Sequence, residues 1–403
     1  MENQRSTLSI LTHRMTDTTE RRRTAGDGAR AETPPAAPTA GRPALPGPPE
    51  MPVAAGKRAR GYILFIILAA LLLMTSVAVL NTLVDPYGIL GTGIFPTATT
   101  TDRSVKADLI EKLKQAPQLI VLGSSRSMLY DPEYLQQKTG LRTFNAGVDI
   151  IGGAADVWAM TNYLHDRFPQ SHPRYLWLVD VETFTTTVKQ SLTAEPRLAR
   201  YLDKTTGTAG RAGGELTTIG NDLKSLLSWA MVRDSLRILA HQSAATAREQ
   251  AYRRRFRPNG GYGGSGKTMS LAELQRATAK SLARYTLLYR TAYHAMDPQA
   301  QRYVEQTLAL MNQSGSAPLI VLTPLSPMFQ QKLGPLGWYD RHQQVVDFFG
   351  NLTSRYRFTF ADMTSVSTWG GSPTEFSDGV HPTYSNIHKL IDFLVQNHGE
   401  ALR

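Results

Sequence analysis

Not one of the 403 residues is cysteine. That excludes disulfides, zinc–thiolate sites and cysteine nucleophiles, and it leaves the redox compartment open, because cysteine-free chains occur in reducing and oxidising surroundings alike. Metal-ligand spacing is lacking as well. His165, His172, His241, His294 and His388 show no paired spacing with carboxylates, so each reads as a surface or satisfied core histidine and no metal site is expected. Acidic residues are in deficit, giving a net charge of +11. The balance invites a nucleic-acid reading, but residues 1–60 hold +4 of it and the other +7 is spread over more than three hundred residues. The densest basic cluster beyond them, Arg253-Arg254-Arg255-Phe256-Arg257, reads as a solvated face or a contact with an anionic surface, so no nucleic acid is expected as a partner.

Residues 15–56 have too few apolar side chains to offset chain entropy and are rich in Pro, Ala, Thr, Arg and Gly, as in Pro43-Ala44-Leu45-Pro46-Gly47-Pro48-Pro49. Residues 1–56 are therefore expected to be a disordered tail. One long apolar run follows, uncharged from Gly61 to Val84 and closed by Asp85 and Pro86. A stretch of more than about twenty such residues is what a helix needs to cross a bilayer, so residues 57–85 read as a transmembrane anchor. A cleaved signal peptide fits worse, since its apolar core is shorter and its charged lead brief. Lys57, Arg58 and Arg60 flank the run on one side and Asp85 on the other, so the positive-inside rule keeps the tail in the cytoplasm and residues 86–403 outside it.

The stretch around which the rest is organised is Gln118-Leu119-Ile120-Val121-Leu122-Gly123-Ser124-Ser125-Arg126. Its apolar run, bounded by Pro117 and Gly123, reads as a buried strand, a buried helical turn being the other reading of so short a run. Further apolar runs at Arg142–Asn145, Tyr175–Val181, 318–323 and 358–360 alternate with helical patterns at 104–113, 132–138, 153–167, 340–354 and 384–396. Strand, helix, strand at this spacing predicts an α/β fold with a parallel sheet. The alternation breaks over 190–300, where helices near 215–240 and 270–296 and no strand predict an inserted helical subdomain.

Ligands of such sheets bind beyond the carboxyl ends of the strands, where Ser125 sits. A serine hydroxyl attacks a carbonyl only if an imidazole takes its proton, and the imidazole needs a carboxylate to fix its tautomer. Ser377-Asp378-Gly379-Val380-His381-Pro382 offers both, with Asp378 three residues before His381. At this point the chain resembles the SGNH/GDSL hydrolase family, which carries a serine after the first strand, an Asn/Gly block after the second and an Asp-x-x-His block before the last helix. Here these are Gly123-Ser124-Ser125-Arg126, Asn145-Ala146-Gly147 and Asp378-Gly379-Val380-His381.

The resemblance covers roughly residues 110–185 and 315–397. It implies a three-layer, flavodoxin-like SGNH sheet, a Ser125–His381–Asp378 triad and an oxyanion hole from the N–H groups of Ser125 and Gly147. The Gly-Ser-Ser opening behind one span is similar to the branch that includes alginate acetylation and teichoic-acid D-alanylation proteins of the bacterial inner membrane. It implies an acyltransferase on an envelope or secreted polysaccharide, with a multi-span membrane acyltransferase as partner. An esterase that passes the acyl group to water, or a silent glycan-binding subunit, are the other readings.

One departure matters. Where family members carry an oxyanion asparagine after the third strand, this chain has Asp180-Val181-Glu182, and a carboxylate there opposes developing negative charge. Either Asn145 supplies the donor or the hole is incomplete. Arg126 and Trp369 are the candidate substrate contacts, Trp369 because its loop just before the base could stack an aromatic face on a pyranose. Gly261-Tyr262-Gly263-Gly264-Ser265-Gly266-Lys267-Thr268 matches the phosphate-binding loop letter for letter, but no buried strand leads into it, and neither a nucleotide nor any other cofactor is expected.

Overall fold

The computed structural model describes residues 53–402, apart from 88–89, 91, 93, 99, 151–152, 186–191, 193–194, 203–226 and 264–269. The expected tail, the first part of the helix expected near 215–240 and most of the phosphate-loop match lie outside the described residues. The chain opens with α1, Val53–Val84, the one described helix long and apolar enough to cross a membrane, over Arg60–Val84. Asp85 stops it with a positive φ of 43°, and the ring of Pro86 disfavours helical backbone at the residue before it.

The elements then run α2 (Asp102–Glu111), β1 (Leu119–Gly123), α3 (Pro132–Thr139), β2 (Thr143–Asn145), α4 (Ala154–Arg167) and β3 (Arg174–Val179). Helices α5 (Trp229–Ala240), α6 (Gln242–Arg253), α7 (Leu271–Thr291) and α8 (Pro298–Gln313) separate β3 from β4 (Leu319–Leu322). Last come α9 (Pro327–Leu333), α10 (Trp338–Leu352), β5 (Thr359–Asp362) and α11 (Tyr384–Asn397). Local chemistry sets many of the ends. Asp131 caps α3 with Pro132 at its first position, Ser270 and Glu273 make a reciprocal capping box on α7, and the Thr383 side chain caps α11.

The five strands form one sheet in the order β2-β1-β3-β4-β5, every neighbouring pair parallel. Successive side chains of a strand point to opposite faces, and here both faces are covered. Ile120, Leu122, Tyr175, Trp177, Ile320 and Leu322 pack with residues of α4, α8 and α10. Leu119, Val121, Leu176, Leu178, Leu319 and Val321 pack on the other side with residues of α3 and α11. This is why β1, β3 and β4 read as continuous apolar runs.

One expectation is corrected, and one helix is added. The third strand stops at Val179, because Asp180 and Thr183 cap each other and start a tight turn over Val181–Phe184. The stretch after residue 296 holds a further helix, α8, whose Val304, Leu308 and Met311 join the core on the α4 side of the sheet.

Candidate active site

In this strand order the chain winds in opposite directions from β1 to β2 and from β1 to β3, which opens a crevice at the carboxyl ends of β1 and β3. Gly123 closes β1 there with φ 138°, and a Cβ on it would stand 2.4 Å from the Leu178 carbonyl oxygen, so only glycine lets the strand turn away here. The turn is then pinned by the Ser127 N–H to Ser124 O at 2.9 Å and leaves Ser125 partly exposed.

The Asp378–His381 loop reaches the same point from the far end of the chain. It is closed on itself by the Ser377 N–H donating to His381 O at 2.8 Å, and tied to the start of α9 by the Ser326 N–H donating to Gly379 O at 3.0 Å. Ser125 Oγ and His381 Nε2 stand 2.8 Å apart. His381 Nδ1 lies 3.0 and 3.1 Å from the two Asp378 oxygens. An ionised carboxylate only accepts, so Nδ1 carries the hydrogen and Nε2 is left as the acceptor facing the serine hydroxyl.

Asp378 also accepts the backbone N–H groups of Val380 at 3.0 Å and His381 at 2.9 Å, and the Ser281 hydroxyl at 2.9 Å. Burial alone would raise its pKa. The hydrogen bond and charge of His381, with those backbone donors, outweigh burial and hold the carboxyl well below the usual carboxylate range. The structure thus brings Ser125, His381 and Asp378 together in the geometry that a nucleophile, its base and the base's orienter would need.

The expected oxyanion donors are arranged otherwise. Asn145 is buried, its amide donating to Ser127 O and Tyr130 O at 2.8 Å each, and its side-chain oxygen accepts the Gly147 N–H at 2.9 Å. Asn145 and Gly147 are therefore committed to holding the turn around Ser127. Of the three donors, the Ser125 N–H is the one without an acceptor among the described residues.

Arg126, the expected substrate contact, is turned into the fold instead. Its side chain is buried, and its guanidinium lies 3.2 Å from Asp180 and 3.1 Å from Glu182. It also donates to Thr323 at 2.8 Å and to the Tyr285 hydroxyl at 3.0 Å. The two carboxylates after β3 are thus paired with the guanidinium of the residue that follows Ser125. Burial raises the pKa of Glu182 against the opposing pull of Arg126.

Trp369 is likewise no sugar platform. It is 4% exposed, donates its indole N–H to Met363 O at 3.0 Å, and packs in the core under α11. The basic cluster is partly spent on the protein itself, Arg253 on Asp108 and Glu249 and Arg257 on Asp131 and Glu133.

Sequence reasoning passed over the contribution of α7. Ser281, Tyr285 and Tyr289 recur every four residues on one face of α7, and Tyr293 continues the spacing just past its end. Ser281 reaches Asp378, Tyr285 reaches Arg126, the Tyr289 hydroxyl donates to Glu182 at 2.8 Å and that of Tyr293 to Val181 O at 2.5 Å. The spacing of hydroxyls was the available signal.

Lys106 was also passed over. Its buried ammonium donates to Asn145 O at 2.5 Å and to Gly260 O, fastening the turn after α6 to the segment that leads to Gly147. Burial lowers its pKa to about 7, against the pull of Asp102. Among the described residues no group of His, Asp and Glu could hold a metal ion. No protein-family model matches the chain, and no curated protein does.

Proposed function

We propose that the chain is an SGNH-like serine acyltransferase, anchored by α1 with its α/β domain outside the cytoplasm, that moves an acyl group onto a hydroxyl of a cell-envelope or secreted polysaccharide. The observation that carries this reading is the 2.8 Å contact between Ser125 Oγ and His381 Nε2, backed by Asp378. His381 takes the Ser125 proton as Oγ forms a bond to the acyl carbon. The donor's leaving group departs with that proton and an acyl-serine remains. A glycan hydroxyl then gives its proton to Nε2, bonds to the acyl carbon, and Ser125 recovers the proton. The Ser125 N–H is the available first donor to the oxyanion, and the Arg126 cluster offsets the carboxylates beneath it. A multi-span membrane protein as acyl donor, and α1 as its docking surface, belong to the same reading. If water enters in place of the glycan, the same steps make an esterase.

A second reading is favoured by the commitment of Gly147 and Asn145 to each other: a catalytically silent, glycan-binding subunit. Detergent-solubilised chain incubated with p-nitrophenyl acetate separates the two. Turnover and an acetyl adduct on the intact protein, both lost in Ser125→Ala, support the enzyme. Turnover and adduct that survive in the variant reject Ser125, and silence of both proteins favours the subunit.

A further inference from the structure

Helix α1 is exposed from Tyr62 to Ser76, and from Val77 onward one side of it is covered, with Asn81 and Val84 buried while Val79 and Leu83 stay exposed. Part of the cover is α5. The Ser235 hydroxyl donates to Asn81 Oδ1 at 2.7 Å, and Tyr87, just past α1, donates its hydroxyl to Asp234 at 2.8 Å. On α5, Met231, Val232, Ser235 and Ile238 face inward, while Trp229, Arg233, Leu236, Arg237 and Leu239 face outward. Trp229 is 76% exposed, Leu236 50% and Leu239 42%.

The height of α5 follows from the length of α1. The 25 residues of Arg60–Val84 rise about 37 Å along a helix, whereas the hydrocarbon core of a bilayer is about 30 Å thick. With Arg60 held at one surface, the last turns of α1 emerge at the other, in the headgroup layer. Asn81 lies in those turns, so Ser235 and the rest of α5 are held at that level. The exposed side chains suit that place. Tryptophan concentrates where an apolar ring meets headgroups, leucine dips into the acyl boundary, and arginine meets lipid phosphate. Arg233 and Arg237 are more than half exposed while each pairs with Asp234, which leaves their outer N–H groups facing solvent.

We propose that α5 is an interfacial helix, seated in the leaflet on the domain's side of the bilayer through Trp229, Leu236 and Leu239, with Arg233 and Arg237 against lipid phosphates. The seat gives the domain a second attachment and fixes its tilt over the membrane. The proposal rests on α1 crossing a bilayer and is independent of the chemistry at Ser125.

The absence of cysteine makes the test clean. Leu83→Cys, Leu236→Cys, Leu239→Cys and, on α10, Tyr339→Cys each receive one nitroxide, in the full chain reconstituted into vesicles of phosphatidylcholine and phosphatidylglycerol. The expected result is that labels at 236 and 239 collide severalfold less with a water-soluble nickel chelate than the label at 339, and more with oxygen, as the label at 83 does. Protection at 83 with labels at 236 and 239 as chelate-accessible as that at 339 overturns the proposal and leaves this side of α5 to a protein partner. A chelate-accessible label at 83 places the end of α1, and α5 with it, outside the leaflet and overturns the proposal as well.

Discussion

The Ser281 hydroxyl, on the inserted helix α7, donates a 2.9 Å hydrogen bond to Asp378, 97 residues away in sequence. Hydrogen bonds to a charged acceptor contribute about 1.5–3 kcal/mol, and this one steadies the carboxylate that orients His381. Ser281→Ala is expected to lower kcat/KM toward an activated ester by about tenfold, with KM little changed. Ser281→Thr, which keeps the hydroxyl, is expected to restore most of the loss. Equal rates for all three proteins would make the bond structural only.

Asp378→Asn keeps the shape but reverses the tautomer preference of His381, since an amide N–H facing Nδ1 asks it to accept. A loss of about 10³–10⁴ in kcat is expected from steady-state kinetics. The substitution carries a second signature. The Asp378 carboxyl is held below its ordinary range in the fold, so its stabilising contribution is present above about pH 4 and fades as the pH falls further. The stability gap between wild type and variant should therefore narrow below that pH in thermal unfolding.

Arg126→Met leaves Asp180 and Glu182 buried without their cation. Breaking one side of a buried ion cluster costs about 3–5 kcal/mol, to be read as a lower denaturation midpoint. A substrate contact would behave otherwise, raising KM at unchanged stability. Trp369→Ala is expected to follow the same pattern, costing about 3–5 kcal/mol through the cavity it leaves with no specific effect on glycan binding.

Lys106 gives a pH test with the opposite sign from Asp378. Its folded pKa is lowered to about 7, while the unfolded side chain titrates near 10.4. Between those values the unfolded chain holds the extra proton, so stability gains from Lys106 as the pH rises through that window. Lys106→Met should remove the gain, and the difference between the two proteins' unfolding midpoints should grow from pH 7 to about 10.

The sheet was legible because its inner strands are covered on both faces, which forces runs such as Leu119-Ile120-Val121-Leu122 and Leu319-Ile320-Val321-Leu322. Helix α8 was hidden by its glutamines, Gln299, Gln301, Gln306 and Gln313, which blur its apolar side although Asp297 and Pro298 mark its start. At the site, the order of blocks along the chain pointed to Ser125, Asp378 and His381 as neighbours. Arg126 and Trp369 were misread because residue type tells what a side chain can bind, not which way the fold turns it. Ser281 and Lys106 act across contacts of 97 and 39 residues' separation, and no local pattern carries such a pairing.

One side of α7 holds Asp378 through Ser281 and the buried ion cluster around Arg126 through Tyr285 and Tyr289. A truncated protein made by excising the segment between β3 and β4 would therefore not be a smaller version of the same machine. It would expose a charged seam where tyrosines had been, and protein engineers seeking a minimal scaffold would need to graft that helix along with the strands.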